Sequence, residues 1–215
     1  MKNREIPEVY HDNETKNTIL NKATELFALK GFSYVSMRDI AKAVGIKMSS
    51  IYYYYEGKEA LLEDVLARFE SRYRHYFDWL TEANRQAESF NELMDNMFNR
   101  EFLEMQDPIN CLSMSLVVKE QHNHESVRKI FFDLFIDYSV AQLQADFNQL
   151  IDKGMIPRSD TKSIATIFMF CVISANDVRI HEYTGAKPPI DCMEFYNGLR
   201  KMLTLSLTTP GDSVQ

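Results

Sequence analysis

The sequence predicts an all-α protein in which three short N-terminal helices precede a larger helical body. Three observations carry that prediction. Only 7 Gly and 6 Pro occur among 215 residues, and 45% of residues are apolar, so few breakers interrupt the chain and a sizeable core is available. The apolar residues recur at helical rather than alternating spacing. The net charge of −7 is unevenly spread: residues 1–60 hold 9 Lys+Arg against 8 Asp+Glu, leaving 15 against 23 for residues 61–215, so a near-neutral unit precedes an acidic body.

The first helix is read over residues 13–30, where Ile19, Leu20, Ala23, Leu26 and Phe27 share a face and Gly31 is the left-handed stop. Ser36 stands three residues before Asp39 and directly ahead of Met37, Ile40, Ala41 and Val44, a capping-box start for a two-turn helix that Gly45 ends. A third helix spans residues 47–55 with Ile51 and Tyr55 inward, and Gly57 separates it from a long fourth helix over 58–80. Further helices are expected over 90–105, 108–121, 124–153, 161–180 capped by Asp160, and 190–207.

Several function classes lack support. There is no uninterrupted run of about 18 apolar residues, and residues 1–10 have no apolar signal core, so a cytoplasmic protein without a membrane partner is expected. Cys111, Cys171 and Cys192 are odd in number, far apart and set among apolar neighbours, which predicts reduced core thiols. His122 and His124 are two residues apart at a helix junction, off a shared helix face, and are read as a solvated turn rather than a metal site. A phosphate-cradling Gly loop, a nucleophile elbow and a distinctive acid pair are all missing from the sequence, so no catalytic residue, metal or cofactor is assigned and enzyme activity is not expected.

Two short helices joined by a Gly-containing turn are the helix-turn-helix pattern, in which the second helix enters a DNA major groove, although a plain helical hairpin has the same spacing. The outward face separates the two readings. With Ile51 and Tyr55 inward, Ser49, Ser50, Tyr52, Tyr53 and Tyr54 share the outer and flanking faces. A tyrosine offers apolar area plus a hydroxyl for a phosphate or base edge, and small serines admit close backbone approach. A protein partner would use the same surface, so an all-helical protein–protein interaction module is the alternative. Lys58 opposes the dipole of the helix it opens, a placement that an external anion such as a DNA phosphate explains.

The run "ILNKATELFALKGFSYVSMRDIAKAVGIKMSSIYYYYEGKEALLEDVL", within residues 15–66, resembles the DNA-binding domain of the TetR family of transcriptional regulators. That family shows an apolar first helix ending in a Leu-Phe pair, a Lys-Gly-Phe turn, a Val-Arg-Asp-Ile-Ala-like second helix and a Gly-Val turn. A third helix like Leu-Tyr-x-His-Phe and a Lys-Glu-Ala-Leu-Leu opening follow. The resemblance implies that Ser36 caps helix two and meets the backbone and that Arg38 reaches the duplex. It also implies that Met48, Ser49, Ser50 and Tyr53 face base edges while Tyr52, Tyr54 and Lys58 grip phosphates. Lys47 departs from the pattern, standing where a capping Ser or Thr is common; it cannot cap, and is read as a further phosphate or guanine contact. Tyr54 and Tyr55 stand where His and Phe are common.

The domain reading is a flexible 1–12, a helix-turn-helix DNA-binding domain over 13–57, an effector-binding and dimerisation domain over 58–208, and a flexible 209–215. The resemblance places an effector pocket in the second domain, with Phe69, Tyr73, Phe98, Phe102, Met105, Met114, Phe132 and Tyr138 as candidate apolar walls. Asn176 is a candidate polar anchor alongside Arg128, Asp177, Arg179 and His181. Residues 164–180 are apolar on nearly every side, which calls for burial against the chain's own domain and a partner. Candidates for the homodimer interface are Ile164, Ile167, Phe168, Phe170, Cys171, Phe195, Leu199 and Met202. The expected function is a dimeric repressor on a palindromic double-stranded operator, released by a small hydrophobic effector.

Overall fold

The computed structural model describes residues 14–104, 107–187 and 190–207, with side chains described outside 99–104 and 182. The expected residues 1–12 and 209–215 lie outside that range. Among the described residues the chain is helical and contains no strand.

Helix α1 (Glu14–Lys30) buries Ile19, Leu20, Ala23 and Phe27. Gly31 follows at φ 90°, and its N–H closes on the Phe27 carbonyl at 2.9 Å. A 3₁₀ turn at Phe32–Tyr34, not expected from the sequence, leads into α2 (Met37–Val44). The α2 start is a reciprocal capping box: the Asp39 N–H donates to Ser36 Oγ at 3.2 Å, and the Ser36 N–H donates to Asp39 Oδ2 at 2.9 Å. At its end Gly45 is left-handed, with its own N–H and that of Ile46 returned to Lys42 and Ala41 carbonyls. Helix α3 (Met48–Tyr54) buries Ile51 alone.

Helix α4 (Lys58–Arg85) runs five residues past its expected end. The extra turn has no apolar stripe to announce it. It is held instead by Asn84, which is buried and donates to Asp146 at 2.6 Å. Helices α5 (Phe90–Glu104) and α6 (Pro108–Glu120) follow, the second capped by Asp107, whose carboxylate accepts from the Ile109 N–H at 2.9 Å.

The single helix expected over 124–153 is continuous in backbone but not in pitch. It divides into α7 (Glu125–Ile130), a π-helical segment (Phe131–Tyr138) and α8 (Ser139–Asp152). The buried Ser139 hydroxyl donates five residues back to the Leu134 carbonyl at 2.6 Å and shares a 2.9 Å hydrogen bond with the Tyr73 hydroxyl. Helical periodicity gives no sign of that wider turn, which coincides with a run rich in aromatic residues.

Helix α9 (Thr161–Tyr183) begins at Asp160, which accepts from the Ser163 N–H at 3.1 Å, and α10 (Cys192–Leu207) closes the fold. The stretch Thr161–His181 is long and apolar enough to cross a membrane by length and composition, yet it packs on α6, α8 and α10. Within the single chain α9 is buried on one side only, which leaves the other to the expected partner. Phe168, Met169 and Val172 face the core, whereas Ile167 and Phe170 are 53% and 51% exposed. Cys111 and Cys192 are buried as expected, with burial pushing the Cys111 thiol up to about 11, but Cys171 is only half-buried.

Candidate nucleic-acid interface

The three N-terminal helices share one core built on Ile19, Phe27, Ile40, Ile51 and Tyr55, and that core decides which side chains of α3 are left outside. Tyr55 is buried, and its hydroxyl donates to Asp64 Oδ2 at 3.1 Å. Lys16 pairs with the same carboxylate at 2.8 Å and stands 5.5 Å from the centre of the Tyr55 ring. Burial, followed by the neighbouring Asp64 charge, pushes the Tyr55 phenol above its ordinary range.

On the opposite face Tyr53 is 82% exposed and Tyr52 51% exposed, beside exposed Ser49 and Lys47 and half-buried Ser50. Arg38 and Ser36 of the α2 start are exposed as well. Asp39 is held below the usual carboxylate range by the Ser36 hydroxyl and N–H, which ties it into the cap. Lys47 occupies the cap position of α3 and makes no side-chain cap hydrogen bond, as its chemistry requires.

Three placements differ from the sequence expectation. Tyr54 is not an outward side chain: it is half-buried against the core, with its ring edge-on to Tyr53 at 5.1 Å. Met48, expected at base edges, is likewise half-buried against the core. Lys58 is not waiting for an external anion. Its ammonium donates to the Phe32 carbonyl at 2.8 Å and lies 4.2 Å from the centre of the Phe32 ring. An internal carbonyl and an aromatic face satisfy the cation that the helix dipole disfavours, a long-range contact with no sequence signature.

Beyond the three-helix unit, the candidate pocket residues separate into two groups. Phe69 and Tyr73 join Phe77, Phe135 and Tyr138 in one aromatic cluster, where Tyr73 lies 5.1 Å from Phe135 and Phe77 lies 5.9 Å from Tyr138. Phe98 belongs elsewhere, 5.7 Å from Phe168 and 6.3 Å from Tyr196. Phe132 is exposed and lines a surface groove of about 600 Å³ with Glu125, Arg128 and Lys129, so it does not face an internal cavity. Met114 is core; Met105 and the side chain of Phe102 lie outside the described residues. Asn176 is buried, donating to the Cys111 carbonyl at 3.3 Å, while its Oδ1 and the Ser115 hydroxyl have no partner among the described residues. Arg128 is committed to the Gln121 carbonyl at 3.1 Å, and Asp177 and His181 are exposed.

The candidate dimer residues divide too. Ile167, Phe170 and Met202 are exposed and Ile164, Cys171 and Phe195 half-buried, but Phe168 and Leu199 are buried within the chain's own core and cannot meet a partner as it stands. The sequence reading missed Leu205, 71% exposed on the same flank of α10, and Gly198, beside which a Cβ would meet nothing. A glycine in mid-helix facing open space was the available signal.

Residues 19–65, from the middle of α1 into α4, match the model of the bacterial regulatory proteins of the tetR family. The N-terminal unit is a TetR-family domain. Among curated relatives, the chain is 27% identical over 124 residues to the probable HTH-type transcriptional regulator YttP of Bacillus subtilis strain 168, covering 57% of this chain and 52% of YttP. The match therefore spans about half the length of that relative. It is 24% identical over 146 residues to the biofilm operon icaADBC HTH-type negative transcriptional regulator IcaR of Staphylococcus epidermidis, covering 63% of this chain and 77% of IcaR. Among solved structures, the SmeT–triclosan complex superposes with a TM-score of 0.70 at 16% identity, over 94% of this chain and 95% of SmeT, a likeness of fold. Within the TetR-family unit, Arg38 on α2, Lys47 at the start of α3, and Ser49, Tyr52 and Tyr53 on α3 are all exposed.

Proposed function

We propose that the chain is a dimeric transcriptional repressor whose α3 enters the major groove of a palindromic operator in the cytoplasm. The observation that carries the reading is the α3 face: Tyr52 and Tyr53 expose their rings while Ile51 and Tyr55 of the same stretch are buried in a core continuous with the body. Exposed tyrosine rings beside exposed cations make a surface suited to a macromolecular partner. Tyr53 and Ser49 meet base edges; Tyr52, Arg38 and Lys47 meet phosphates. Ser36 orders the α2 start, and Tyr54, Met48, Ser50 and Lys58 support the face from behind.

Dimerisation is supported by the exposed apolar flank of α9 and α10, where Ile167, Phe170, Met202 and Leu205 lie outward and Gly198 admits a close helix. Two recognition helices related by a two-fold axis reach successive major-groove faces roughly 34–36 Å, or a multiple of that, apart. A hydrophobic effector is supported by the aromatic cluster between α4 and the π-helical segment, and by analogy with SmeT, which was solved with triclosan. Effector binding against that cluster would move α4, which leads directly to α3.

Selection of bound sites from a pool of random duplexes tests the proposal. Recovered sites with two-fold symmetry and that half-site separation are expected. Recovery of no duplex at low salt, together with loss of a captured protein on replacing Tyr53, would favour the protein–protein alternative.

A further inference from the structure

Among the contacts between the N-terminal unit and the body, one residue is held through both of its backbone polar groups. The Phe32 N–H donates to Glu120 Oε1 at 2.8 Å, and the Phe32 carbonyl accepts from Lys58 Nζ at 2.8 Å. Glu120 ends α6 and Lys58 opens α4, so the α1–α2 turn is fixed between two helices that belong to different parts of the body. The Phe32 ring is gripped as well: His124 meets it edge-on at 4.6 Å, and Lys58 lies over it. His124 is thus not part of a solvated turn; its Nε2 is buried, 3.8 Å from Glu120 Oε2.

Glu120 is 6% exposed, and its second oxygen accepts from Asn123 Nδ2 at 3.0 Å. Gly31 makes room for the carboxylate: a Cβ there would stand 3.4 Å from Glu120 Oε1 and 3.3 Å from the Tyr34 ring. The preceding residue, Lys119, reaches the Ala28 carbonyl, near the C-terminus of α1, at 3.5 Å. Burying a carboxylate costs desolvation that an apolar contact between the same helices would avoid. What it gains is direction, because a charge-assisted hydrogen bond to one backbone N–H fixes an angle where apolar packing permits sliding.

We infer that Glu120 is a positioning residue that sets the angle of α2 and α3 relative to the body, and through it the half-site separation the dimer accepts. The inference rests on the operator-binding reading. Phe32 lies four residues before the Ser36 cap, so a rotation of α6 passes through Glu120 to the start of α2 with no flexible segment between. Glu120 acts on which spacing is bound; α3 acts on which bases are read.

The test uses full-length wild type, Glu120→Gln and Glu120→Ala on duplexes with identical half-sites whose separation changes in single-base-pair steps. Wild type is expected to prefer one separation. Glu120→Ala should lower the preference for the best separation over the next by about tenfold while leaving base preference within each half-site unchanged, and Glu120→Gln should fall between. A spacing profile unaltered in Glu120→Ala, or an equal loss at every separation, would overturn the inference in favour of a purely structural contact. Amide exchange gives a second readout that needs no DNA. The Phe32 amide should be protected in wild type and exchange about tenfold faster in Glu120→Ala, which removes its acceptor, with the Ile46 amide unchanged as a control for α2. No acceleration at Phe32 would equally count against it. Failure of the operator reading would appear in the wild-type arm as no duplex bound, whereas failure of the inference appears only in the variants.

Discussion

Two stretches of this chain each place four aromatic residues within eight positions: residues 48–55 and residues 131–138. Both are helical, and their rings are used in opposite ways. In Phe131–Tyr138, Phe131, Phe135 and Tyr138 join rings from α4, and the Tyr138 hydroxyl donates to Asp78 at 2.8 Å. Of the four tyrosines at 52–55 only Tyr55 is buried, and Tyr52 and Tyr53 face solvent. The second stretch spends three of its four rings on the fold; the first leaves two for something outside. Local aromatic density therefore says little until the core beneath it is known.

The comparison breaks most plainly through stability. Phe135→Ala removes a fully buried ring within 5.1 Å of Tyr73 and 5.4 Å of Phe131, and should cost about 3–5 kcal/mol in chemical denaturation. Tyr53→Ala should stay within about 0.5 kcal/mol of wild type. Equal losses would mean that the α3 face is part of the core after all.

Binding should invert that order. Tyr53→Ala is expected to weaken operator binding by about 1–3 kcal/mol, whereas Phe132→Ala, which truncates the exposed ring of the other stretch, should leave it unchanged. A gel-shift titration of both variants would show whether exposure alone, rather than location on α3, accounts for any effect.

The two regions also differ in how they treat carboxylates. Burial pushes Asp146, between α4 and α8, up to about 6, only partly offset by the hydrogen bond from Asn84. A raised carboxyl pKa means the folded state binds the proton more tightly, so this group's contribution to stability should fall as pH rises from about 4 towards 6 and stay low above it. Asp146→Asn should abolish that slope in thermal melts across the same window. Asp39 in the capping box behaves oppositely: its pKa is lowered, so its contribution is present above the unfolded value and lost as pH falls through the folded one. Ser36→Ala should reduce that acid-side loss, the Ser36 N–H still holding Asp39, and cost about 1 kcal/mol through the lost cap.

How far the sequence announced all this follows the same division. The capping box of α2, the left-handed Gly45 and the inward pair Ile51 and Tyr55 are written in residues within a few positions of one another, and local chemistry was enough to find them. Lys58 was misplaced because its partner, Phe32, is 26 residues away, and the Glu120 contact spans 88. The π-helical segment escaped because the hydrogen bond beside it joins Ser139 to Tyr73, 66 residues away. Candidate pocket residues chosen for being aromatic fell into two clusters, since composition does not say which rings share a neighbourhood. The buried Phe168 and Leu199 were offered to a partner because an apolar stripe read without its own core has no inside.

The most direct measurement on the α3 face is the salt dependence of binding to a selected operator, made with wild type, Lys47→Ala, Arg38→Ala and Tyr53→Ala. The logarithm of affinity should fall linearly with the logarithm of salt concentration, and each lost cation should flatten the slope by about one phosphate contact. Tyr53→Ala should lower affinity at every salt concentration and narrow the margin over random duplex without changing the slope. An affinity indifferent to salt, or four proteins with the same affinity and the same slope, would contradict the assignment of this face to DNA.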